Sequence, residues 1–460
     1  MRPAALREVA LVLGAGLHGT DGGAEVRGAA SDSRQVRGGD LFFAFQGRID
    51  GAAFANEAFQ RGAVATVATR PLDGPTLVVN DPMAALQDLA RWSLRRPDVE
   101  APAVVGITGS VGKTTTKDAL SVVLRSAGVK VSATVGNLNN EIGLPLTVLA
   151  AGANTEVLVL EMGATHVGNV ADLCAIASPR YGILTAIAPA HLDSFGSLKA
   201  LAATKGELAA SLPPEGSLVS PLGVPDVAVA PEKDLARRIV FSAKRAGGAD
   251  LWASDFAEDE GGLRFVGHLG GRSVKIRSPV FGTHLVEPLL AAMGGALALG
   301  LDLEETARGI SRLKRTGMRG DVYRLRDDVL VYDDSYNAAS PPSMAAVLRY
   351  AAETAGRQGR RLVVVLGGMF ELGAGSRTYH REIGTLANDL GVDLLACVGD
   401  EARWYAETFT GATLFYPDAA AAASGVSGAL EPGDYLIVKG SRGVQLDTLT
   451  RQLKKSLALV

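Results

Sequence analysis

The sequence contains few cysteines, and neither sign of charge is in excess. Its 460 residues include only two cysteines, Cys174 and Cys397, which lie far apart in sequence. They match no metal-ligand spacing, so we expect buried free thiols in a reducing cytoplasm. Lys and Arg number 46 against 49 Asp and Glu, a formal charge of −3. This balance excludes a bulk electrostatic attraction to nucleic acid.

Long apolar runs are also missing. No run approaches the ~20 residues that cross a membrane. The segment Val9 to Leu13 is too short for a signal region and is followed by Gly14. The residues are 47% hydrophobic and 21% charged, so the chain can bury cores, and its length favours about two to three domains. We therefore expect a soluble cytoplasmic protein with neither nucleic acid nor a membrane as partner.

Residues 104–116 contain a β-branched run and a glycine-rich loop, the P-loop, and a helix-forming segment from Asp118 to Ala127 follows. The loop reads Thr108-Gly109-Ser110-Val111-Gly112-Lys113-Thr114 and is followed by Thr115. Glycines let backbone N–H groups surround phosphates, and the helix N-terminus adds positive potential. Lys113 would reach the β- and γ-phosphates, and the Thr114 hydroxyl would ligate Mg²⁺. An ordinary glycine-rich turn is the alternative. Ile107 stands where the common pattern has glycine, which indicates a particular subset of ATP users.

Two further polar residues, Glu161 and His191, are expected near the same sheet edge, and Lys205 follows in a helical segment. Glu161 ends an apolar strand and could ligate Mg²⁺, or it could be an ordinary loop carboxylate. His191 follows the next strand and could be a ligand or a structural histidine. Lys205, taken alone, is typical of a solvated helix lysine.

Two other segments have unusual polar composition. Residues 137–145 are rich in amides, which is also typical of a polar turn before a helix. Asp333 and Asp334 follow a strand directly, and Ser340 and Pro341 then begin a helix. Asp334 could bind ribose hydroxyls, or it could belong to a cluster that caps the helix.

The order of elements predicts an α/β protein of three domains. Residues 1–98 alternate short strands and helices, residues 99–314 begin with the P-loop unit, and residues 315–460 repeat a strand–helix alternation. We expect a parallel-sheet ATPase domain in the centre and a Rossmann-like domain at the C-terminus. Region 217–280 is expected to be β-rich.

Taken together, these motifs resemble the Mur ligase family over all three segments. Residues 108–114, Glu161, His191 and Lys205 match family positions in order and approximate spacing. Further motifs look like those of the member that adds D-alanyl-D-alanine, at residues 32–34, 39–42, 139–145, 190–197, 205–207, 333–338 and 371–373.

The resemblance implies a reaction. ATP phosphorylates the terminal carboxylate of UDP-N-acetylmuramoyl-tripeptide, and the amine of D-alanyl-D-alanine then attacks the acyl phosphate, a step of peptidoglycan precursor synthesis. It implies Mg²⁺, two ions by expectation, with ATP as co-substrate. We also expect a monomer. Two alternatives stay open: a Mur-type ligase with a different amine substrate, and a nucleotide-binding switch without ligation.

The resemblance also implies residue roles. The catalytic set is Lys113, Glu161, His191 and Lys205. The metal set is Thr114, Glu161, His191 and, if it is carbamylated, Lys205. The nucleotide set is Thr108, Gly109, Ser110, Gly112, Lys113, Thr114, Thr115, His284, Arg319, Asp334 and Asn337. The substrate set is Ser31, Ser33, Arg34 and Asn140. The N-terminal domain would bind the UDP-sugar, and the C-terminal domain would bind nucleotide and the incoming amine.

The sequence departs from the family in two places. In the family, one helix usually begins with His-Asn-x-x-Asn, and the two asparagine side chains bind adenine. The corresponding residues here are His284-Leu285-Val286-Glu287-Pro288, so both asparagines are missing. The usual Leu-Gly-Asp-Met reads Leu366-Gly367-Gly368-Met369, so one acidic group is absent. We expect relaxed nucleotide selectivity, with His284 or backbone groups binding the adenine base.

Overall fold

The computed structural model describes residues 1–98, 100–189, 192–231, 233–244, 247–259, 261–314, 320–335 and 339–457. Within them the strands form sheets of nine, six, five and two strands. Helices cover the larger sheets, and the strands are mostly parallel, which confirms the predicted α/β class. The exact domain limits stay a prediction.

The first segment is built on the five-stranded sheet. Its elements are β1 (Ala4–Ala5), α1 (Leu6–Val12), β2 (Gly16–His18), β3 (Glu25–Val26), β4 (Gly28–Ala30), β5 (Asp40–Phe43), α2 (Ala55–Gln60), β6 (Ala65–Ala68), β7 (Thr76–Val78) and α3 (Pro82–Arg95). The strand order is β2-β7-β6-β5-β4, with only β2 antiparallel to its neighbour within the described residues. Helix α3 begins where the Asp81 side chain accepts the Met83 N–H at 2.7 Å.

The second segment contains the nine-stranded sheet. Its elements are β8 (Ala103–Thr108), α4 (Lys113–Ser126), β9 (Val131–Ala133), α5 (Gly143–Ala150), β10 (Val157–Glu161), α6 (Asn169–Ala177), β11 (Tyr181–Leu184), α7 (Leu192–Phe195), α8 (Leu198–Ser211), β12 (Ser217–Pro221), α9 (Asp226–Val229), β13 (Arg237–Ser242), β14 (Leu251–Asp259), β15 (Gly262–Leu269), β16 (Arg272–Ser278), α10 (Val286–Ala298) and α11 (Leu303–Ile310). Five strands in residues 217–278 confirm the expected β-rich region.

The strand that leads into the P-loop lies inside this sheet. The order is β16-β15-β14-β13-β12-β11-β8-β10-β9, so β8 pairs in parallel with both β10 and β11. The carboxyl ends of these three strands therefore meet at one edge, where ligands bind in open parallel sheets. Only the β14-β15-β16 end of the described sheet is antiparallel.

Helices cover both faces of the nine-stranded sheet. One core contains β10 residues together with α3, α5, α6 and α8, so α3 of the first segment packs directly on the second. The other core lies under α4, α10 and α11. The P-loop helix is therefore fixed by burial along its length, which includes Leu120, Val123 and Leu124.

The third segment contains the six-stranded sheet. Its elements are β17 (Asp321–Arg324), β18 (Leu330–Asp334), α12 (Pro341–Gln358), β19 (Leu362–Gly367), α13 (Ser376–Asp389), β20 (Leu394–Val398), α14 (Arg403–Ala406), β21 (Ala412–Tyr416), α15 (Ala419–Ala429), β22 (Tyr435–Lys439) and α16 (Asp447–Ser456). The order is β17-β18-β22-β19-β20-β21, parallel from β18 to β21. This is the expected Rossmann-like arrangement.

Both cysteines are buried free thiols, as expected from the sequence. Burial raises the pKa of each thiol, Cys174 and Cys397, to about 12. Across the described residues, no helix is both long and apolar enough to span a bilayer.

Candidate active site

The loop between β8 and α4 requires glycine at two positions. Gly109 has a φ of 143°, and a Cβ at this residue would lie 2.0 Å from the Thr185 hydroxyl oxygen. Gly112 has a φ of 90°, and α4 begins directly after it. The N-terminus of a 14-residue helix thus opens onto the loop, where its first N–H groups have no partner within the helix. Such an arrangement is typical of phosphate-binding sites.

The loop is tied to both neighbouring strands. The Thr108 hydroxyl donates to the Met162 carbonyl at 2.8 Å, just beyond β10. The Ser110 N–H donates to the Ala186 carbonyl at 2.8 Å, and its hydroxyl accepts the Ala188 N–H at 3.1 Å, beyond β11. Its shape is therefore fixed by the sheet.

The Lys113 ammonium lies over the loop backbone. Its Nζ donates to the Gly109 carbonyl at 2.7 Å and is 3.4 Å from the Ser110 carbonyl. Burial lowers the pKa of Lys113, and the charge of Glu161 opposes that shift. A phosphate oxygen would give this ammonium the anionic partner that carbonyls cannot.

Glu161, the last residue of β10, is held by two side chains. The Thr114 hydroxyl donates to Glu161 Oε2 at 2.9 Å, and Asn139 Nδ2 donates to Oε1 at 2.9 Å. Only 4% of Glu161 is exposed. The P-loop threonine and the strand-end carboxylate predicted as metal ligands are therefore in direct contact.

This oxygen pair fits Mg²⁺. Ligands of an octahedral Mg²⁺ lie at about 2.1 Å from the ion, which places neighbouring oxygens about 3 Å apart. The Thr114 and Glu161 oxygens are separated by 2.9 Å. Among the described residues no three His, Cys, Asp or Glu side chains cluster as a complete metal site. A magnesium ion here would take its remaining ligands from phosphate and water, as is usual for this ion.

Lys205 is buried rather than solvated. It is 3% exposed on α8, and its Nζ lies 6.0 Å from the centroid of the Phe195 ring. Burial, with a smaller effect of the Lys113 charge, lowers the pKa of Lys205 to about 7. A large fraction of this amine is therefore neutral near neutral pH. His191, predicted as its neighbour at the metal site, lies outside the described residues.

In the third sheet, Asp334 forms a buried ion pair. Lys439 Nζ lies 2.6 Å from Asp334 Oδ2, at the adjacent carboxyl ends of β18 and β22. Asp333 accepts from the Ser335 N–H and hydroxyl, at 3.1 and 2.6 Å. Two other predicted nucleotide residues, Arg319 and Asn337, lie outside the described residues.

His284 lies where the second and third segments meet. Its Nε2 is 3.2 Å from the Tyr332 hydroxyl, and its ring packs against Tyr332 and Tyr350. Burial lowers the pKa of His284 to about 4. Its role toward the nucleotide base stays a prediction.

The predicted substrate residues belong to the first two segments and differ in exposure, since Ser33 is buried whereas Arg34 and Asn140 are exposed. The Ser33 hydroxyl donates to Glu57 at 2.7 Å, and the exposed Arg34 pairs with Asp32 at 2.7 Å, next to the partly exposed Ser31. The exposed Asn140 accepts the Gly143 N–H at 2.8 Å at the start of α5. Thr115 is partly exposed in the first turn of α4. Their substrate and nucleotide roles stay predictions.

Sequence reasoning missed two partners of the predicted residues. Asn139 belongs only to an amide-rich motif in the sequence, whereas Asn140 is a predicted substrate residue. Lys439 is absent from the predicted site residues, although it ends an apolar strand just as Glu161 does. That position, a charged residue closing a buried parallel strand, is the signal that could have identified it.

Comparisons with known proteins agree with this geometry. Residues 107–296 match the family model described as the Mur ligase middle domain, and residues 318–442 match the Mur ligase, glutamate ligase domain. The chain is 32% identical over 448 residues to UDP-N-acetylmuramoyl-tripeptide–D-alanyl-D-alanine ligase of Bacillus subtilis, covering 94% of both. The Mycobacterium tuberculosis protein of the same description is 35% identical over 467 residues, with 92% of this chain and 91% of the relative covered.

Solved structures extend the similarity to the whole fold. A crystal structure of MurF from Acinetobacter baumannii matches with a TM-score of 0.88 at 28% identity, covering 99% of this chain and 100% of the other. MurF from Thermotoga maritima in complex with ADP matches with a TM-score of 0.81 at 29% identity, covering 94% and 97%.

Proposed function

This chain belongs to the Mur ligase family, and we propose that it joins D-alanyl-D-alanine to UDP-N-acetylmuramoyl-tripeptide. The reaction is ATP-dependent, forms one amide bond and releases ADP and phosphate. It is a step of peptidoglycan precursor synthesis. Relatives described by this activity align with more than nine-tenths of the chain.

One observation carries the chemical part of this function. Thr114 of the P-loop contacts Glu161 of the neighbouring strand, and the buried Lys205 lies close enough for the Lys113 charge to affect its pKa. The glycine-rich loop, the Glu161 carboxylate and the buried Lys205 thus support the proposed site. A simple phosphate-binding module needs no such lysine.

The first chemical step is attack of a carboxylate on the γ-phosphate. One oxygen of the terminal carboxylate forms a bond to phosphorus, and the bond between that phosphorus and the bridging oxygen of ADP breaks. Both reactants are anionic, so positive charge must offset their repulsion. We assign this to the Lys113 ammonium and to the N–H groups at the start of α4.

Thr114 and Glu161 would hold the magnesium ion that ATP brings. When bound, Mg²⁺ neutralises phosphate charge and orients the transferring group. Asn139 donates to the second oxygen of Glu161 and so fixes the carboxylate. A second ion, held by Glu161, His191 and Lys205, is part of the proposal.

Lys205 would act after reaction with CO₂. The neutral amine attacks the carbon of CO₂, a nitrogen–carbon bond forms and one proton is released, which converts the lysine to an anionic carbamate. A pKa of about 7 favours the neutral amine that this step requires. The carbamate would supply oxygen ligands, which Mg²⁺ prefers to an ammonium.

The second step is attack of the D-alanyl-D-alanine amine on the acyl carbon. The amine loses a proton, a carbon–nitrogen bond forms, and phosphate leaves with the oxygen that it took from the carboxylate. The acyl phosphate must be protected from water, so closure of the domains around it is expected. We assign binding of the UDP-sugar to residues 1–98, where Ser31, Ser33 and Arg34 would contact it. Residues 99–314 would carry the P-loop chemistry, with Asn140 facing the substrate. Residues 315–460 would bind the incoming amine.

The nucleotide would be bound from two segments. Residues Thr108, Gly109, Ser110, Gly112 and Thr115 surround the phosphates in this proposal. Arg319 would reach the γ-phosphate, while His284, Asp334 and Asn337 would contact the nucleoside. Because these groups come from different segments, binding of ATP would favour the closed arrangement.

A ligation assay tests this function. The protein is incubated with ATP, Mg²⁺, UDP-N-acetylmuramoyl-tripeptide and D-alanyl-D-alanine, and the product mass is measured. We expect the UDP-linked pentapeptide in amounts equal to the phosphate released. A panel of other amines is the matched comparison. A preference for another amine would contradict the assigned substrate, and ATP hydrolysis without any ligated product would indicate a nucleotide switch.

A further inference from the structure

Lys117 is a buried lysine one helical turn beyond Lys113. Only 4% of it is exposed, although lysine is rarely buried without a partner. Its Nζ donates to the Thr134 carbonyl at 2.8 Å and lies 3.0 Å from the carboxylate of Asp118. The Asp118 side chain is 45% exposed, so the fully enclosed partner of the ammonium is Thr134.

Thr134 connects Lys117 to the end of β10. It follows β9 directly and is 2% exposed. Its N–H continues the parallel ladder by donating to the Val159 carbonyl at 3.0 Å, and its hydroxyl accepts the Glu161 N–H at 3.0 Å. Beyond the last residue of β9, the Thr134 hydroxyl thus provides the acceptor for the next N–H of β10.

Glu161 is therefore fixed at both its backbone and its carboxylate. The backbone is held by Thr134, which is held by Lys117, and the carboxylate is held by Thr114. Lys117 and Thr114 both belong to the start of α4. Two separate connections therefore run from the P-loop helix to Glu161, beside the hydrogen bond that Asn139 donates to its carboxylate.

A buried ammonium is costly unless its interactions compensate for lost hydration. An apolar side chain of similar length could fill the same space between α4 and β9 without that cost. What it could not do is hold the Thr134 carbonyl, so that among the described hydrogen bonds only the Thr134 N–H would still anchor the backbone of this residue. Packing alone therefore does not explain why a charged side chain occupies this buried position.

We propose that Lys117 is a positioning residue of the magnesium and γ-phosphate site, acting through Thr134 on Glu161. This inference rests on the proposed role of Glu161 as a ligand of the magnesium ion. Lys117 itself touches neither metal nor substrate in this account. It sets the distance between the Glu161 carboxylate and the Thr114 hydroxyl.

The test measures metal binding directly. Mn²⁺ serves as the probe, and its dissociation constant is measured by electron paramagnetic resonance in the presence of ADP, so no turnover is required. Lys117→Met removes the ammonium at similar length, and Thr134→Val removes the hydroxyl. Lys455→Met, at an exposed position of α16, is the control for loss of a lysine.

We expect Lys117→Met and Thr134→Val each to weaken Mn²⁺ binding by about tenfold or more, the range seen when partners of metal ligands are removed. The double variant should lose little beyond either single variant, because both act through one connection. Thr134→Ser keeps the hydroxyl and should retain most of the affinity. The Mg²⁺ activation constant should rise while the KM for D-alanyl-D-alanine stays unchanged.

Unchanged Mn²⁺ affinity in folded Lys117→Met would overturn the inference, even if its melting temperature fell, because Lys117 would then be purely structural. Should Lys117→Met fail to fold, the Mn²⁺ affinity of Thr134→Val is the test instead, and an unchanged affinity there would also overturn the inference. Failure of the wild-type protein to ligate would contradict the proposed function instead. The Mn²⁺ measurement would still report on Lys117, so the two failures can be told apart.

Discussion

Asp334 and Lys439 are direct register partners at the ends of two parallel strands, and their side chains form an ion pair of 2.6 Å. The side chains are 4% and 1% exposed. An ion pair this enclosed depends on both partners, because removal of Asp334 would leave the buried Lys439 ammonium without this carboxylate. It fixes the edge of the third sheet where nucleotide binding is proposed.

Removing one partner of this pair should destabilise the protein strongly. Asp334→Asn leaves the Lys439 ammonium buried beside a neutral group, and we expect the free energy of unfolding to fall by about 3–5 kcal/mol. Urea denaturation of the purified variant measures this. Asp334→Asn combined with Lys439→Met should be more stable than Asp334→Asn alone. A loss below about 1 kcal/mol in the single variant would show that the pair is not compensating buried charge.

Lys113 is the residue whose removal should affect turnover most. Lys113→Ala takes away the ammonium that offsets charge on the transferring phosphate, and we expect a loss of about 100- to 1000-fold in kcat. Phosphate release in the presence of both substrates is the readout. The fold should survive, since the side chain bonds only to loop carbonyls among its described contacts. Retained turnover in the variant would remove the assignment of residues 108–114 as the phosphate site.

His284 should make the protein less stable in mild acid. Its pKa is about 4 in the folded protein because of burial, with Lys439 adding to and Asp334 opposing the shift, against 6.5 as the ordinary value. The unfolded chain therefore binds this proton first, and stability falls as the pH decreases from about 6.5 toward 4. At pH 5 the loss should approach about 2 kcal/mol.

The variant His284→Gln isolates this contribution. Glutamine can still bond to the Tyr332 hydroxyl but does not titrate. The wild type should lose more unfolding free energy than the variant between about pH 7.5 and 5. Parallel curves for the two proteins would mean that His284 keeps its ordinary pKa.

Nucleotide selectivity should be weak. Neither Leu285 nor Pro288 carries a side-chain amide that could bond to the base. The Pro288 carbonyl already accepts a hydrogen bond from the Thr116 hydroxyl at 3.2 Å. Sites without a hydrogen-bonding group for the distinguishing atom reject analogues by only about 100-fold or less. We expect GTP to support turnover within that factor of ATP in kcat/KM. Negligible GTP turnover would contradict this prediction and show that other groups distinguish adenine from guanine.

Much of the fold follows from local patterns. The strands at 157–161, 362–367, 394–398 and 435–439 coincide with continuous apolar runs, which mark buried parallel strands. The start of the P-loop helix is harder to predict. The P-loop helix begins at Lys113, earlier than the segment from Asp118 indicated, because its first turn carries threonines with weak helix propensity.

Contacts between distant elements could not be read from the sequence. The packing of α3 on the second segment depends on which apolar face meets which, and one-dimensional periodicity does not specify that. Likewise, the contact of Asn139 rather than Asn140 with Glu161 depends on where β9 ends beside β10. Residue types predicted the chemistry at the sheet edge, whereas strand register determined the partners.

The acyl phosphate is the central claim, and oxygen transfer tests it most directly. The terminal carboxylate of UDP-N-acetylmuramoyl-tripeptide is labelled with ¹⁸O, ligation to D-alanyl-D-alanine is run with unlabelled ATP, and the released phosphate is examined by mass spectrometry. If the carboxylate attacks the γ-phosphate, one labelled oxygen leaves with the phosphate. Phosphate without label, formed together with ligated product, would contradict the account.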